Sequence, residues 1–334
     1  MTGKEKLNED RKAAAIAAGD VFVDVTPFYV QDLRIGDQDL SLHDDFVYCF
    51  TSKERVIERG FSPPEGSSRD TLITCAGDLS VKDAGSDKRQ MTGLYEWGWS
   101  RKSKSLGGVK KTGSIATAGY FIVLDIDSIL NKYKKWFMTN LLFKLRDNIY
   151  PLPSGLFRKE IANFASLREG DKEHFCYANF SMTCNYRVNV AQWVSTQEYI
   201  KYYFPKRFPA LDEDLEEEIL SDNPLPFNEF LQTLASYKFC IAPNGVGIDT
   251  DRLWECIFMN VVPIAQNNYG NRIFSKIWPM ILVDRYEFSD IPKLTTEFEK
   301  KYGENIQYNH DLLLRKNLPE LMSRIEYECK RLNE

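Results

Sequence analysis

The stretch 239–255 holds the residue types with the clearest chemical use in the chain. Its sequence, FCIAPNGVGIDTDRLWE, joins an apolar run to a Pro-Asn-Gly-x-Gly loop and then to a helical pattern. Thr250 or a neighbouring Asp can cap that helix, so unpaired backbone N–H groups and the positive end of a helix dipole meet at the loop. The pattern therefore predicts a binding site for an anion such as a phosphate.

Two charged residues extend this site towards a nucleoside diphosphate. Arg252 can clamp a phosphate with two hydrogen bonds, and Glu255, three residues later on the same helix face, can accept hydrogen bonds from a ribose diol. The loop is not a Walker loop, because no Gly-Lys-Ser/Thr follows, and it lacks the third glycine of a dinucleotide-binding fingerprint. The alternative is a tight turn with Arg252 and Glu255 paired on the helix surface.

The same residues resemble a known family. The pattern F-C-I-A-P-x-G, followed by x-x-R-L-W-E and then V-V-P-I, is similar to the C-terminal nucleotide-sugar motif of exostosin-type (family 47) glycosyltransferases. Related patterns occur in fucosyltransferases. Residues 177–181 with Arg187 resemble that family's first strand and phosphate-side arginine, and 274–283 resemble its later helix and strand. The resemblance covers about 150–295 and is most specific at 238–264.

The resemblance implies an α/β protein of GT-B type, with two Rossmann-like domains whose parallel sheets face a cleft. It implies an inverting glycosyltransferase that moves a sugar from a nucleotide sugar to a carbohydrate or glycan acceptor. UDP is the favoured carrier, and GDP is possible. No cofactor beyond the nucleotide-sugar co-substrate and no divalent metal are expected.

The resemblance also implies roles for particular residues. Gly245 and its neighbours would approach the diphosphate, Arg187 and Arg252 would neutralise its charge as it leaves, and Glu255 would hold the ribose. A positioned cation lowers the barrier because the charge of the leaving group grows in the transition state. The residues expected to bind the donor are Ser181, Arg187, Pro243, Asn244, Gly245, Gly247, Asp249, Arg252 and Glu255.

An inverting transfer needs a general base for the acceptor hydroxyl, which the N-terminal half should supply. The candidates are Asp24, at the end of an apolar run, and His43 and Asp44, in a polar turn before the next run. None of the three belongs to a recognisable motif. A capping or surface role is the alternative for each.

Two rival readings remain open. Asp125 and Asp127 follow an apolar run and resemble the D-x-D of GT-A glycosyltransferases, in which two carboxylates hold a divalent cation. Asp127 or Ser128 can equally cap the helix predicted next. The other rival is a non-catalytic nucleotide- or carbohydrate-binding protein that keeps the fold without turnover.

Strands alternate with helices along the chain, which predicts parallel sheets of the doubly wound kind. The predicted strands are 21–25, 45–50, 71–76, 119–124, 175–180, 238–242, 261–265 and 281–283. The predicted helices are 53–59, 128–146, one from Asn185, 226–236, 250–259, one between the last two strands, and 318–332. The stretch 78–118 is predicted to be a long loop. Pro151 and Pro153 mark the boundary between an acceptor domain (1–150) and a donor domain (151–334), with packing of the C-terminal helix on the first domain left open.

Composition limits the partners and the compartment. The 43 Lys and Arg residues against 48 Asp and Glu give a net charge of −5, which argues against binding nucleic acid. Seven scattered Cys and three His form neither a disulfide framework nor a zinc motif. No apolar run is long enough to span a membrane and the N-terminus lacks a signal pattern, so a soluble, cytoplasmic protein is expected.

Overall fold

The computed structural model describes residues 40–43, 46–49, 71–74, 79–83, 120–124, 130–131, 134–142, 144–156, 159–206, 217–245, 247–313 and 317–332. These residues form two compact units. Unit 1 contains the described residues up to Asp87, those from Tyr120 to Lys159, and those from His310 onwards. Unit 2 contains those from Glu160 to Asn309. Within the described ranges, no helix has the length and apolar character needed to cross a bilayer.

The strands of the described residues are β1 Leu40–His43, β2 Phe46–Cys49, β3 Thr71–Thr74, β4 Leu79–Asp83, β5 Tyr120–Leu124, β6 Lys135–Met138, β7 Ile149–Pro151, β8 His174–Ala178, β9 Ile200–Tyr202, β10 Phe204–Pro205, β11 Leu220–Ser221, β12 Tyr237–Ala242, β13 Val262–Gln266 and β14 Ile281–Val283. The α-helices are α1 Asn185–Ser195, α2 Phe227–Ala235, α3 Asp251–Phe258, α4 Tyr269–Ile277, α5 Ile291–Tyr302 and α6 Leu318–Arg331. Two 3-10 helices separated by a kink at Phe164 cover Lys159–Glu169, and shorter ones cover Glu217–Ile219, Tyr286–Phe288 and His310–Leu313.

Unit 1 contains a five-stranded sheet in the order β1-β2-β3-β6-β7 and a separate pair, β4-β5. Among the described strands of unit 1, only the β1-β2 pair is antiparallel. Two sequence predictions are wrong here. β4 lies inside the stretch predicted to be a loop, and β6 lies inside the predicted helix 128–146. In β6, Trp136, Phe137 and Met138 are almost completely buried, because a strand with neighbours on both sides can cover three consecutive apolar residues.

The last strand and the last helix of unit 1 pack together. β7 ends the sheet, so Pro151 sits on an edge strand, where a residue without an N–H is tolerated. α6 packs against β7 and buries Leu318, Leu321, Ile325 and Cys329, which confirms the predicted apolar face. Lys135 on β6 and Glu326 on α6 form an ion pair with a nitrogen–oxygen distance of 2.6 Å.

Unit 2 contains a five-stranded sheet in the order β14-β13-β12-β8-β9, and all of its pairs are parallel. Its strands alternate with helices as predicted, which makes the unit an α/β domain of Rossmann-like type. β12 and β13 are almost completely buried. The near-continuous apolar sequence of both strands is the pattern of a parallel sheet that is covered on both faces.

The strand order of unit 2 reverses at β8. The chain passes from β8 through α1 to β9 on one side, and it later places β12 on the other side of β8. Because such crossovers are right-handed, the helices that follow β8 and β12 lie on opposite faces of the sheet. A crevice therefore opens at the carboxyl ends of β8 and β12, where open α/β sheets bind ligands.

Candidate functional site

The guanidinium group of Arg187 joins the loops that follow β8 and β12. Arg187 lies in the first turn of α1 and is 9% exposed. Its Nη1 donates to the Ser181 carbonyl oxygen at 3.1 Å, its Nη2 to that of Pro243 at 3.0 Å, and its Nε to that of Asn244 at 3.1 Å. Hydrogen bonds from a charged donor are stronger than neutral ones, so Arg187 holds the two loops in a fixed arrangement.

Gly245 packs closely against this guanidinium group. A Cβ atom at position 245 would lie 3.0 Å from Nη2 and 3.1 Å from Cζ of Arg187, and 3.1 Å from Oγ1 of Thr183. The Gly245 N–H donates to the Gly247 carbonyl oxygen at 2.9 Å, so the loop folds back on itself. The close approach therefore favours glycine at position 245, because a Cβ atom there would require Arg187 or the loop to shift by a few tenths of an ångström.

The sequence predicts unpaired backbone N–H groups in this loop, but those of Asn244 and Gly245 have acceptors. The Asn244 N–H donates to Oε1 of Gln266 at 2.7 Å, and the Gly245 N–H is bonded inside the loop. Neither group is available to an anion, because each already has an acceptor. The acceptor of the Asn244 N–H is Gln266, which is distant in the sequence. Helix α3 begins where the sequence predicts. Thr250 occupies the predicted N-cap position without a side-chain cap, and its carbonyl oxygen accepts from the Leu253 N–H at 3.0 Å, so the start of α3 offers the positive end of the helix dipole rather than a full set of unpaired N–H groups.

Arg252, in the first turn of α3, is held from three sides. Its Nε donates to the Asn179 carbonyl oxygen at 2.9 Å, and its Nη2 donates to Oδ1 of Asn179 at 3.3 Å. Its Cζ atom lies 3.8 Å from the ring centroid of Phe230, within the range of a cation–π contact. Asn179 directly follows β8 and donates from Nδ2 to the hydroxyl of Tyr177 at 3.1 Å. β8 therefore sets the position of Arg252.

Glu255 completes this arrangement. Its Oε2 accepts from Nη1 of Arg252 at 2.7 Å, and the Glu255 side chain is 12% exposed. Burial lowers the pKa of Arg252, but the charge of Glu255 outweighs it and raises that pKa above its usual value. Within the described residues, no group donates to Oε1 of Glu255, and two of the five N–H bonds of Arg252 have no acceptor. Both residues can therefore bind a further partner.

Asp249, another predicted donor-binding residue, has a structural partner. Its Oδ1 accepts from Nε1 of Trp254 at 2.5 Å. Trp254 is completely buried and packs edge-on against Phe274 and Trp278. Asp249 thus ties the loop before α3 to the apolar core of unit 2.

A cluster of buried amides lies beside this loop, and sequence reasoning missed it. It consists of Asn244, Gln266, Asn268 and Asn271, each 2% exposed or less. Gln266 is the last residue of β13. Its Nε2 donates to the hydroxyl of Tyr186, and its carbonyl oxygen accepts from Nδ2 of Asn271 at 2.9 Å. The sequence signal for the cluster is the polar Gln-Asn-Asn run at the carboxyl end of a buried strand.

The structure brings the predicted donor-binding residues together in two neighbouring groups. One surrounds Arg187, and the other lies at the start of α3. The candidate bases and D-x-D residues are different. Asp24, Asp44, Asp125 and Asp127 lie outside the described residues, and His43 is described only as the last residue of β1. In the part of the chain that is described, no three or more His, Cys, Asp and Glu side chains are grouped to hold a metal ion.

Comparisons with known proteins give similarity to solved structures only. No protein-family model matches the chain, and no curated protein matches it. The chain is similar to the spinosyn rhamnosyltransferase SpnG, with 8% identity over 60% of this chain and 52% of that one and a TM-score of 0.27. It is similar to TarM, with 10% identity over 76% of this chain and 54% of that one and a TM-score of 0.34. It is also similar to a GtfA/B complex, with 11% identity over 78% of this chain and 56% of that one and a TM-score of 0.29. The chain spans about half the length of these structures.

Proposed function

We propose that this protein is a glycosyltransferase of GT-B type that inverts the anomeric centre and uses a nucleotide sugar as donor. The supporting observation is the pair formed by Arg252 and Glu255 at the start of α3. It lies beside the carboxyl ends of β8 and β12, where the strand order reverses. The pair presents a cation and a carboxylate oxygen side by side, as a diphosphate and an adjoining ribose require.

Arg252 and the start of α3 carry the chemistry of the leaving group in this proposal. The two remaining N–H bonds of Arg252 donate to diphosphate oxygens, and the positive end of the helix dipole adds to its field. The negative charge on the diphosphate grows as the bond to the sugar breaks. Preorganised donors therefore stabilise the transition state more than the ground state.

Arg187 has a positioning role in the same proposal. Its guanidinium group donates to three carbonyl oxygens and holds the loop 243–245 in place. Its positive charge still lies beside the site and favours an anion there. Glu255 accepts hydrogen bonds from the ribose hydroxyls through Oε1, which explains why one carboxylate oxygen lacks a partner within the described residues.

The nucleotide, the acceptor class and the lack of a cofactor in this proposal rest on the family resemblance, whereas the candidate bases rest on the need of an inverting transfer for a proton acceptor. UDP is the favoured nucleotide and GDP the alternative, and the acceptor is a carbohydrate or glycan. The general base that takes the proton of the acceptor hydroxyl is one of Asp24, His43 and Asp44. No metal or further cofactor takes part.

A thermal-shift screen with UDP, GDP and CDP tests the donor site. A nucleotide present at a hundred times its dissociation constant stabilises the folded state by about 2.7 kcal/mol. Glu255→Gln keeps an acceptor for Arg252 but removes the charge next to the ribose, so we expect it to weaken nucleotide binding about tenfold. Glu299→Gln is the matched control on α5, where Glu299 pairs with Lys238.

We expect UDP to raise the melting temperature of the wild-type and control proteins. If none of the three nucleotides does so, the donor site is refuted. If Glu255→Gln binds as tightly as the wild type, the ribose assignment is wrong. Release of free UDP from a UDP-sugar, dependent on an added glycan, then tests turnover.

A further inference from the structure

The buried amide cluster at the carboxyl ends of β12 and β13 contains two NH₂ groups without a hydrogen-bond partner. Asn268 is the N-cap of α4, and its Oδ1 accepts from the Asn271 N–H at 2.8 Å. Its Nδ2 is buried and has no hydrogen-bond partner, and the same holds for Nδ2 of Asn244. Buried amide groups without partners are rare in folded proteins, and each one calls for a physical explanation.

Both amide groups lie at one place in the fold. Oδ1 of Asn268 is bonded to the first turn of α4, so the Nδ2 atom of the same planar amide must also lie at the start of this helix. Asn244 follows β12 by two residues, and its N–H is bonded to Gln266, two residues before Asn268. Neighbouring strands are about 4.8 Å apart. Asn244 and Asn268 therefore both lie at the carboxyl edge of the sheet, after neighbouring strands.

The position of these groups connects them to the proposed donor site. Pro243, Asn244 and Gly245 form one loop, and the Arg187 guanidinium bonds the carbonyl oxygens of Pro243 and Asn244. The same loop leads from β12 to α3, so Asn244 is joined by a short stretch of chain to the place proposed for the diphosphate. Helix α4 has nine residues, and Asn268 caps the N–H group of Asn271 in its first turn.

We propose that Asn268 and Asn244 bind oxygen atoms of the transferred sugar and determine which sugar is accepted. This inference rests on the proposed function. The two side-chain NH₂ groups are donors only, so they match groups that can accept, such as ring hydroxyls. A sugar that lacks a hydroxyl at the matching position leaves these donors unpaired, and buried polar groups left unpaired give strong discrimination.

The test measures the affinities of UDP and of a panel of UDP-glucose, UDP-galactose, UDP-N-acetylglucosamine and UDP-glucuronate by calorimetry. Asn268→Ser keeps an N-cap for α4, because serine is a good capping residue, and removes the Nδ2 donor. Asn268→Asp keeps the shape and the capping oxygen and serves as the second variant if the first does not fold. Asn244→Ser removes the other donor.

Asp290→Ser is the matched control. It makes the corresponding replacement at the N-cap of α5, where Asp290 accepts from the Lys293 N–H at 3.1 Å. We expect the control to bind all ligands as the wild type does. Melting temperatures of all variants report whether they are folded.

We expect Asn268→Ser and Asn244→Ser to weaken binding of the preferred UDP-sugar at least tenfold and to change UDP affinity less than twofold. Equal losses for UDP and the UDP-sugar, or no loss for either, would overturn the inference and leave the donor site standing. In that case the amides have only a structural role. If the wild-type protein binds none of UDP, GDP, CDP and the UDP-sugars, the proposed function and this inference both fail; if it binds only GDP, the same variants are measured with GDP and GDP-sugars.

Discussion

Arg187 and Gly245 depend on each other at the residue scale. Arg187 is buried, and its guanidinium nitrogens are bonded to three carbonyl oxygens, two of which belong to the loop that contains Gly245. The same loop approaches so closely that a Cβ atom at position 245 would fit only after a shift of a few tenths of an ångström. The buried charge is therefore stable only while the loop keeps this conformation.

Gly245→Ala should disturb this arrangement. The new methyl group would lie about 3 Å from two guanidinium atoms, so the loop or Arg187 must move by a few tenths of an ångström, which weakens the hydrogen bonds between them. We expect the free energy of unfolding to fall by about 2 kcal/mol, which is typical of overpacking a buried site. Urea denaturation measures this change. Nucleotide binding should weaken as well, since the loop adjoins α3.

Gly170→Ala is the control for this substitution. A Cβ atom at position 170 would lie 3.4 Å from the Leu167 carbonyl oxygen, which is an ordinary van der Waals contact. We expect a change of less than about 0.5 kcal/mol, as for other surface substitutions. Equal stability of Gly245→Ala and Gly170→Ala would contradict the argument.

The pair formed by Arg252 and Glu255 was predictable from the sequence, whereas the role of Arg187 was not. Arg252 and Glu255 are three residues apart in a helix, so their contact follows from local geometry. Arg187 is more than fifty residues from Pro243 and Asn244, and its partners are backbone carbonyl oxygens. Backbone acceptors have no sequence signature, so only the fold reveals this contact.

At the element scale, most strands and helices of unit 2 follow from their sequence pattern. Each has an apolar run or an amphipathic period bounded by polar residues. The predicted helix 128–146 fails because its apolar residues Trp136, Phe137 and Met138 are consecutive. A short apolar run fits a helix or a buried strand equally well. Residues 135–138 form a strand because they pair with β3 and β7, and such long-range pairing cannot be predicted from the local sequence pattern.

Lys172 joins the C-terminal ends of two helices. Its Nζ donates to the Ala235 carbonyl oxygen at the end of α2, at 2.7 Å, and to the Met259 carbonyl oxygen after α3, at 2.8 Å. Carbonyl groups at helix ends lack partners within the helix, and the helix dipole favours a cation there. Burial nevertheless lowers the pKa of Lys172 to about 8.

Lys172→Met should destabilise the protein by about 2 kcal/mol at pH 7, because it leaves two helix-end carbonyl groups without their donor. The pH dependence has a definite sign. The folded lysine loses its proton near pH 8, but the unfolded lysine keeps it to about pH 10.4. Within this window the unfolded chain holds more protons, so the stability of the wild type relative to Lys172→Met rises with pH.

Chemical denaturation of both proteins at pH 7, 8, 9 and 10 measures this difference. The titration of other groups contributes equally to both proteins, so it cancels in the difference between their free energies of unfolding. A difference that stays constant or shrinks as the pH rises would contradict the assigned pKa shift. Lys206→Met is the control, because Lys206 pairs with the exposed Asp222, and exposed ion pairs contribute at most about 1 kcal/mol.

At the scale of the whole molecule, each unit has its own sheet. The chain returns to unit 1 at its C-terminal end, where α6 packs on β7. The amphipathic pattern of α6 was readable from the sequence, but its partner strand was not. A helix's apolar face indicates that it packs on a core without indicating which one. The described part of unit 2, in contrast, is continuous in sequence from Glu160 to Asn309.

This continuity predicts that residues 160–309 fold alone and carry the donor site. The segment contains the five-stranded sheet of unit 2, Arg187, Arg252, Glu255 and the buried amide cluster, and its size is typical of an independent domain. We expect the isolated segment to unfold cooperatively and to bind UDP within about threefold of the full chain, as measured by calorimetry. Gly245→Ala introduced into the segment should lower its UDP affinity as in the full chain. A folded segment that does not bind UDP, while the full chain does, would mean that the donor site needs residues from outside 160–309.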